Sequence, residues 1–211
     1  MKYPIILIGA GGHCVSCIES IESSGIWQIA GIIDANKKCG EYILGYQIIG
    51  TDKELPSLAE KYKNALITVG QIKSASIRIR LFTKAIESGF SLPTIIAQSA
   101  IVSHSSQLGF GTIAMHHVLV NAGASVGENC IINSGAIIEH DVIVGSNTHV
   151  STGAIVNGGC HVGSRCLIGS GAVLRNGIEV SDDIVIGAGT VVVANLTEPG
   201  IYVGCPARKI K

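Results

Sequence analysis

Stepping six residues at a time from Leu108, the chain reads Leu108, Ala114, Val120, Val126, Ile132, Ile138, Val144, Val150, Val156, Val162, Ile168, Leu174, Val180, Ile186 and Val192. Every step lands on an aliphatic side chain, and stepping back adds Val102 and Ile96. In a chain that is 47% hydrophobic, chance would very rarely produce such a run. Two residues before these positions stand small side chains: Thr112, Ala124, Cys130, Ala136, Thr148, Ala154, Cys160, Cys166, Ala172 and Thr190. One residue after them stand Gly109, Asn121, Gly127, Asn133, Gly145, Asn157, Gly163, Gly169 and Gly187. Glycine and asparagine accept the backbone angles of a tight bend.

Each hexapeptide therefore reads as a short strand followed by a bend. The small and the aliphatic residue share a face, because strand side chains alternate. A sustained period of six specifies a parallel β-helix. Its narrow interior accounts for an aromatic content of only 4% and accommodates Cys130, Cys160 and Cys166 as small packing residues. Residues 95–203 supply about 18 such hexapeptides.

The N-terminal third has a different rhythm. PIILIGAGGHC reads as a buried strand, a glycine-rich turn and a helix start; WQIAGIIDAN is a second strand ending at Asp34; ALITVG is a third ending at Gly70; SIRIRLFTKAIESG is helical. Alternating strands and helices predict a small Rossmann-like parallel α/β unit. The expected division is an α/β domain over 1–94 and a β-helix domain over 95–211. Gly9-Ala10-Gly11-Gly12 leaves backbone N–H groups free at a helix start, which suits an anion. The full GxGxxG pattern is missing, since Cys14 stands where glycine or alanine is wanted. Asp34, at a strand end, is positioned to accept from a hydroxyl. Residues 51–65 read as a surface turn and helix.

Composition excludes several classes. Lys+Arg and Asp+Glu both number 15, so there is no basic footprint for nucleic acid. No apolar run is long enough for a membrane span, and the N-terminus lacks a cleavable signal pattern. Seven cysteines without paired metal spacing suggest free thiols in a reducing cytoplasm. Cys14 and Cys17 form a CxxC, read as two small residues on a helix.

His140 and Asp141 lie at a bend, where strict in-out alternation lapses, so both can face outward. In the triangular 18-residue coil of hexapeptide acyltransferases, which the repeat resembles, Gly158 would stack one coil above His140, roughly 4.8 Å along the axis. His149 belongs to the neighbouring side of the triangle. No histidine spacing matches a metal set, so no metal is expected. His104 and His161 read as surface or interface residues; His116 and His117 remain open.

The repeat resembles the left-handed β-helix of hexapeptide acyltransferases. The whole chain resembles one subgroup, the NeuD/PglD-type acetyltransferases, in its IGAGGH opening, IID and TVG strand ends, IIEHD and HVSTGA boxes and VGCPARKIK close. That resemblance implies acetyl-CoA-dependent acetylation of a nucleotide-linked 4-amino-4,6-dideoxy sugar for a surface glycan. It implies His140 as general base, with Asp141 sharpening its basicity. It assigns His149, Gly158, Ser170 and Ala188 to acetyl-CoA, and Gly11, Gly12, His13, Asp34 and Gly70 to the nucleotide sugar. It further implies a homotrimer, whose packed solenoids would form the coenzyme groove. The tail cations Arg208, Lys209 and Lys211 read equally as partners of the 3′-phosphate or as a solvated basic tail. O-acetylation of a sialic-acid-like sugar is the alternative, and a non-catalytic trimeric scaffold the alternative from another class.

Overall fold

A computed structural model describes residues 2–72 and 74–211. The N-terminal unit runs β1 (Tyr3–Ile8), α1 (Gly12–Ser24), β2 (Trp27–Ile33), β3 (Tyr42–Ile43), β4 (Tyr46–Gly50), α2 (Leu55–Tyr62), β5 (Ala65–Ile67) and α3 (Ser76–Glu87). Its sheet has the order β3-β4-β2-β1-β5. All pairs are parallel except β3 with β4, an antiparallel hairpin that strand-helix alternation does not reveal. Ile5, Ile6, Leu7, Ile32 and Ile33 are fully buried because the sheet is covered on both faces, as parallel sheets are. α1 lies on one face; α2 and α3 contribute to the cluster on the other. No helix among the described residues is long and apolar enough to cross a membrane.

Between Ile95 and Val192 the chain winds through short parallel strands, each pairing with the strand 18 residues away. Three faces result. The first stacks Ile95–Ile96, Ile113–Ala114, Ile131–Ile132, His149–Val150, Leu167–Ile168 and Ile184–Ile186, then Gly200–Val203 and the antiparallel Arg208–Lys209. The second stacks Ile101–Val102, Leu119–Val120, Ile137–Ile138, Ile155–Val156, Val173–Leu174 and Val191–Val192. The third stacks Gln107–Leu108, Ser125–Val126, Ile143–Val144, His161–Val162 and Glu179–Val180. The second residue of each strand points inward, and Ile132, Ile138, Val150, Val156, Ile168 and Leu174 are fully buried. Ile96 departs from the ladder: it is 39% exposed, because the first coil has no coil beneath it to close the core.

The outward columns differ in chemistry. On the first face Ile113 and Ile131 point outward yet are fully buried, because α1 packs over them with Cys14, Cys17, Ile18 and Ile21. Burying each isoleucine contributes about 1.5–3 kcal/mol. The CxxC thiols are therefore packing atoms, and burial pushes Cys14 up to about 11. Arg78 bolts the two units together. Fully buried, it donates to the carbonyls of Ile67 (2.7 Å) and Val69 (3.0 Å) in the α/β unit and of Asn129 (3.0 Å) in the solenoid. The second face presents only Ile101, Leu119, Ile137, Ile155, Val173 and Val191 outward, whereas the third presents Gln107, Ser125, Ile143, His161 and Glu179.

Candidate active site

His140 and Asp141 form the bend between the second and third faces. Asp141 has a φ of 58°, in the left-handed region where Asn and Asp are the most tolerated side chains after glycine. His140 Nδ1 lies 3.0 Å from Asp141 Oδ2. A carboxylate only accepts, so Nδ1 carries the proton and Nε2 presents a lone pair. Both side chains reach solvent, at 58% and 73% exposure. Glu139 steadies the bend, its Oε2 accepting from Asn121 Nδ2 (2.8 Å) and from the His140 backbone N–H (3.3 Å).

Two glycines bracket this pair along the axis. A Cβ on Gly158 would lie 2.5 Å from His140 Nε2, so the imidazole occupies the space that a side chain would fill. A Cβ on Gly123, one coil below Asp141, would lie 2.5 Å from Asp141 Oδ1. Stepping 18 residues down from Asp141 identifies Gly123 as surely as stepping up from His140 identifies Gly158. The Gly158 N–H has no acceptor among the described residues. Asn121 and Asn133 each accept from the following N–H through Oδ1, both at 2.8 Å, but Asn157 turns its Nδ2 to Leu174 O at 2.7 Å instead.

The remaining predicted residues gather elsewhere. Gly11, Gly12, His13, Asp34 and Gly70 line a cavity of about 760 Å³ at the carboxyl ends of β1, β2 and β5. His13 and Gly70 are shared with a second cavity of about 450 Å³, lined also by His149, Ser170, Ala188, Gln71 and Asn133. This second cavity sits where the α/β unit meets the first face and its corner with the second. Gly158 is in neither cavity, so it is separated from His149, Ser170 and Ala188. Asp34 is already engaged: Oδ2 accepts from Ala10 N–H (2.7 Å), and Oδ1 from Asn36 (2.8 Å) and Lys37 (3.1 Å).

His149 is held at both nitrogens. Nδ1 donates to Gln71 O at 2.7 Å, and Nε2 accepts from Asn133 Nδ2 at 3.1 Å. Burial is the main cause that lowers its pKa, aided by Arg78 and opposed by the Gln71 contact. Gln71 also donates Nε2 to Cys166 O at 3.1 Å, so this residue fastens the loop after β5 to the solenoid. Burial, then Arg78, then His149 push His13 down to about 3, and its Nε2 is buried without a partner. Gln71 and Arg78 escape the sequence because their partners lie 95 and 51 residues away with no period connecting them. Among the described residues no three His, Cys, Asp or Glu side chains group as a metal site. In the tail, Lys209 pairs with Glu198 at 2.9 Å.

Comparison with known proteins fits this architecture. The family described as the PglD N-terminal domain matches residues 4–85, and the hexapeptide repeat of succinyl-transferase matches residues 159–194. PerB from Caulobacter crescentus, solved with CoA and GDP-perosamine, is 34% identical; the match covers 99% of this chain and 97% of that one, with a TM-score of 0.91. The chain belongs to the NeuD/PglD-type acetyltransferase family. It is accordingly an acetyl-CoA-dependent enzyme built on a left-handed β-helix. The acetyltransferase domain of PglB from Neisseria gonorrhoeae, solved with acetyl coenzyme A, is 29% identical over 100% of both chains, with a TM-score of 0.92. No curated protein matches this acetyltransferase.

Proposed function

We propose that this acetyltransferase N-acetylates the amino group of a nucleotide-linked 4-amino-4,6-dideoxy sugar for a surface glycan. The observation that carries the reading is the His140–Asp141 pair lying against Gly158. With Nδ1–H held by Asp141, His140 Nε2 takes the proton from the acceptor amine as nitrogen attacks the thioester carbonyl. The free Gly158 N–H is the donor for the developing oxyanion. The C–N bond forms, the C–S bond breaks, and the proton on Nε2 passes to the departing thiolate. PerB's complex with CoA and GDP-perosamine supports a nucleotide-linked amino sugar as acceptor.

The nucleotide part of the acceptor lies in the larger cavity, which the 1–94 unit lines, and acetyl transfer belongs to the 95–211 unit. His140 and the His13–His149 cavity flank opposite edges of the second face. Six residues of extended chain span at most ~20 Å, so one protomer holds them about that far apart. Both corners border the all-aliphatic second face, and this supports a trimer. Three prisms packed through that face about a closed axis bring the His140 corner of one protomer to the cavity corner of the next. Each site then combines His140, Asp141 and Gly158 of one chain with His13, Gly70, His149, Ser170 and Ala188 of its neighbour. We assign the reaction to the cytoplasm, where the exposed thiols of Cys39 and Cys205 stay reduced.

The test is thiol release from acetyl-CoA in the presence of UDP-, GDP- and CMP-linked amino and hydroxy sugars. Turnover with an amino sugar supports the proposal. Turnover only with a hydroxyl acceptor makes the enzyme an O-acetyltransferase, and no turnover with any sugar removes the acceptor assignment.

A further inference from the structure

The larger cavity carries a cation with no structural task. Arg80 lines it from the second turn of α3, is exposed, and enters no ion pair among the described residues. The other charged groups on the wall are Asp34 and Asp52. Asp34 is held by the three backbone N–H groups of Ala10, Asn36 and Lys37, from which its two oxygens accept. Asp52 follows β4, which lies two strands from β1 in the order β4-β2-β1, roughly 10 Å from the glycine-rich loop. The wall therefore carries both signs, two carboxylates and one guanidinium.

Around Arg80 the backbone is arranged for the same sign. Gly11 caps the start of α1 and Ala75 that of α3, and neither helix has a capping side-chain hydrogen bond or an acidic residue in its first turn. Gly12 of the first and Ser76 of the second both line the cavity. A Cβ on Gly11 or Gly12 would meet nothing within 4 Å, so a ligand can rest directly on the backbone there. Ser74 donates its hydroxyl to Ser76 Oγ at 3.0 Å, which leaves the Ser76 hydroxyl proton to be given into the cavity. Each helix N-terminus contributes about half a positive charge. The two termini and Arg80 together offer N–H donors and positive charge to an esterified diphosphate on this part of the wall.

We propose that Arg80 clamps the diphosphate of the nucleotide-linked acceptor between the N-termini of α1 and α3, an assignment that rests on the nucleotide-sugar reading above. The base and ribose then extend toward Asp34 and Asp52, and the sugar toward His13 and Gly70, where the second cavity begins. A guanidinium meets a phosphate with two parallel N–H donors, which an ammonium cannot reproduce.

Calorimetry with GDP, UDP and acetyl-CoA on the full chain tests this. Arg80→Gln should weaken GDP or UDP binding by about tenfold to a hundredfold, the effect of removing one charge-assisted contact. Arg80→Lys should recover part of that loss, and acetyl-CoA affinity should be unchanged in both variants. Unaltered nucleotide affinity in Arg80→Gln, or an equal loss of acetyl-CoA affinity, overturns the clamp while leaving the nucleotide-sugar reading intact. A wild-type enzyme that binds neither nucleotide overturns both.

Discussion

Gly158 offers a way to separate the fold from the chemistry. Its φ is not positive, so its backbone admits alanine without strain. The new Cβ would lie 2.5 Å from His140 Nε2, 2.6 Å from Cε1 and 3.1 Å from Cδ2. Non-bonded carbons prefer about 3.5–4.0 Å, so the ring must retreat by about 1 Å. It has room to do so, since the His140 side chain is 58% exposed. The loss of stability should stay within about 1 kcal/mol, a shift of about 2–4 °C in Tm for a chain of this size. Misplacing a reacting group by about 1 Å costs about 10²-fold, and losing a general base outright about 10²–10⁴-fold. Gly158→Ala should therefore lower kcat by about 10²–10⁴-fold in a thiol-release assay with a barely altered melting curve. Gly159→Ala is the opposite control. Its φ is 69° and its Cβ meets nothing within 4 Å, so it should cost about 1–2 kcal/mol of strain and leave turnover near normal. Wild-type turnover in Gly158→Ala would refute the idea that an imidazole seated against this glycine is the base.

His140→Ala should stay folded and lose several orders of magnitude in kcat, while Asp141→Asn should cost about 10²-fold or less; near-normal turnover in the alanine variant would end the mechanism. Ile155→Glu, on the aliphatic face, should convert a particle of about three times 21.8 kDa into monomer by light scattering and abolish activity. Ile143→Glu, on the polar face and already 45% exposed, should do neither; a fully active Ile155→Glu monomer would dismiss the shared site. His13 gives a pH signature. Its folded pKa of about 3 lies below the unfolded value of 6.5, so below pH 6.5 the unfolded chain binds a proton that the folded chain refuses. Stability from this group is present above pH 6.5 and falls as pH drops toward 3. Denaturant titrations at pH 7.5 and 5.0 should differ by about 2 kcal/mol from His13 alone, and His13→Phe should lose that difference. An identical pH slope in both proteins would contradict the buried, neutral imidazole.

What the sequence by itself determined follows a simple arithmetic. A period of six with its glycines sets strand and bend, and the 18-residue coil implied by the resemblance to hexapeptide acyltransferases then sets which residue meets which along the axis. The stacking of Gly158 on His140 could be reached by counting, and so could Gly123 under Asp141. The glycine-rich turn after β1 and the strand end beside Asp34 were legible for a related reason, since each is written in contiguous residues, whereas the third strand stops at Ile67, short of the Gly70 that its apolar run suggests.

Only the tertiary structure decided matters that depend on how the two units dock. Ile113 and Ile131 occupy the same outward phase as Leu119 and Ile137, and nothing in the period says that α1 covers the first pair and not the second. The hydrogen bonds of Gln71 and Arg78 reach the solenoid across 95 and 51 residues, and these distances carry no repeat. His140 and His149 are neighbours in sequence, yet a triangular cross-section puts one at a corner and the other on the opposite face. Periodicity describes contacts between equivalent coils; it is silent about the flat contact between a solenoid face and a folded domain, where shape and burial choose the partners.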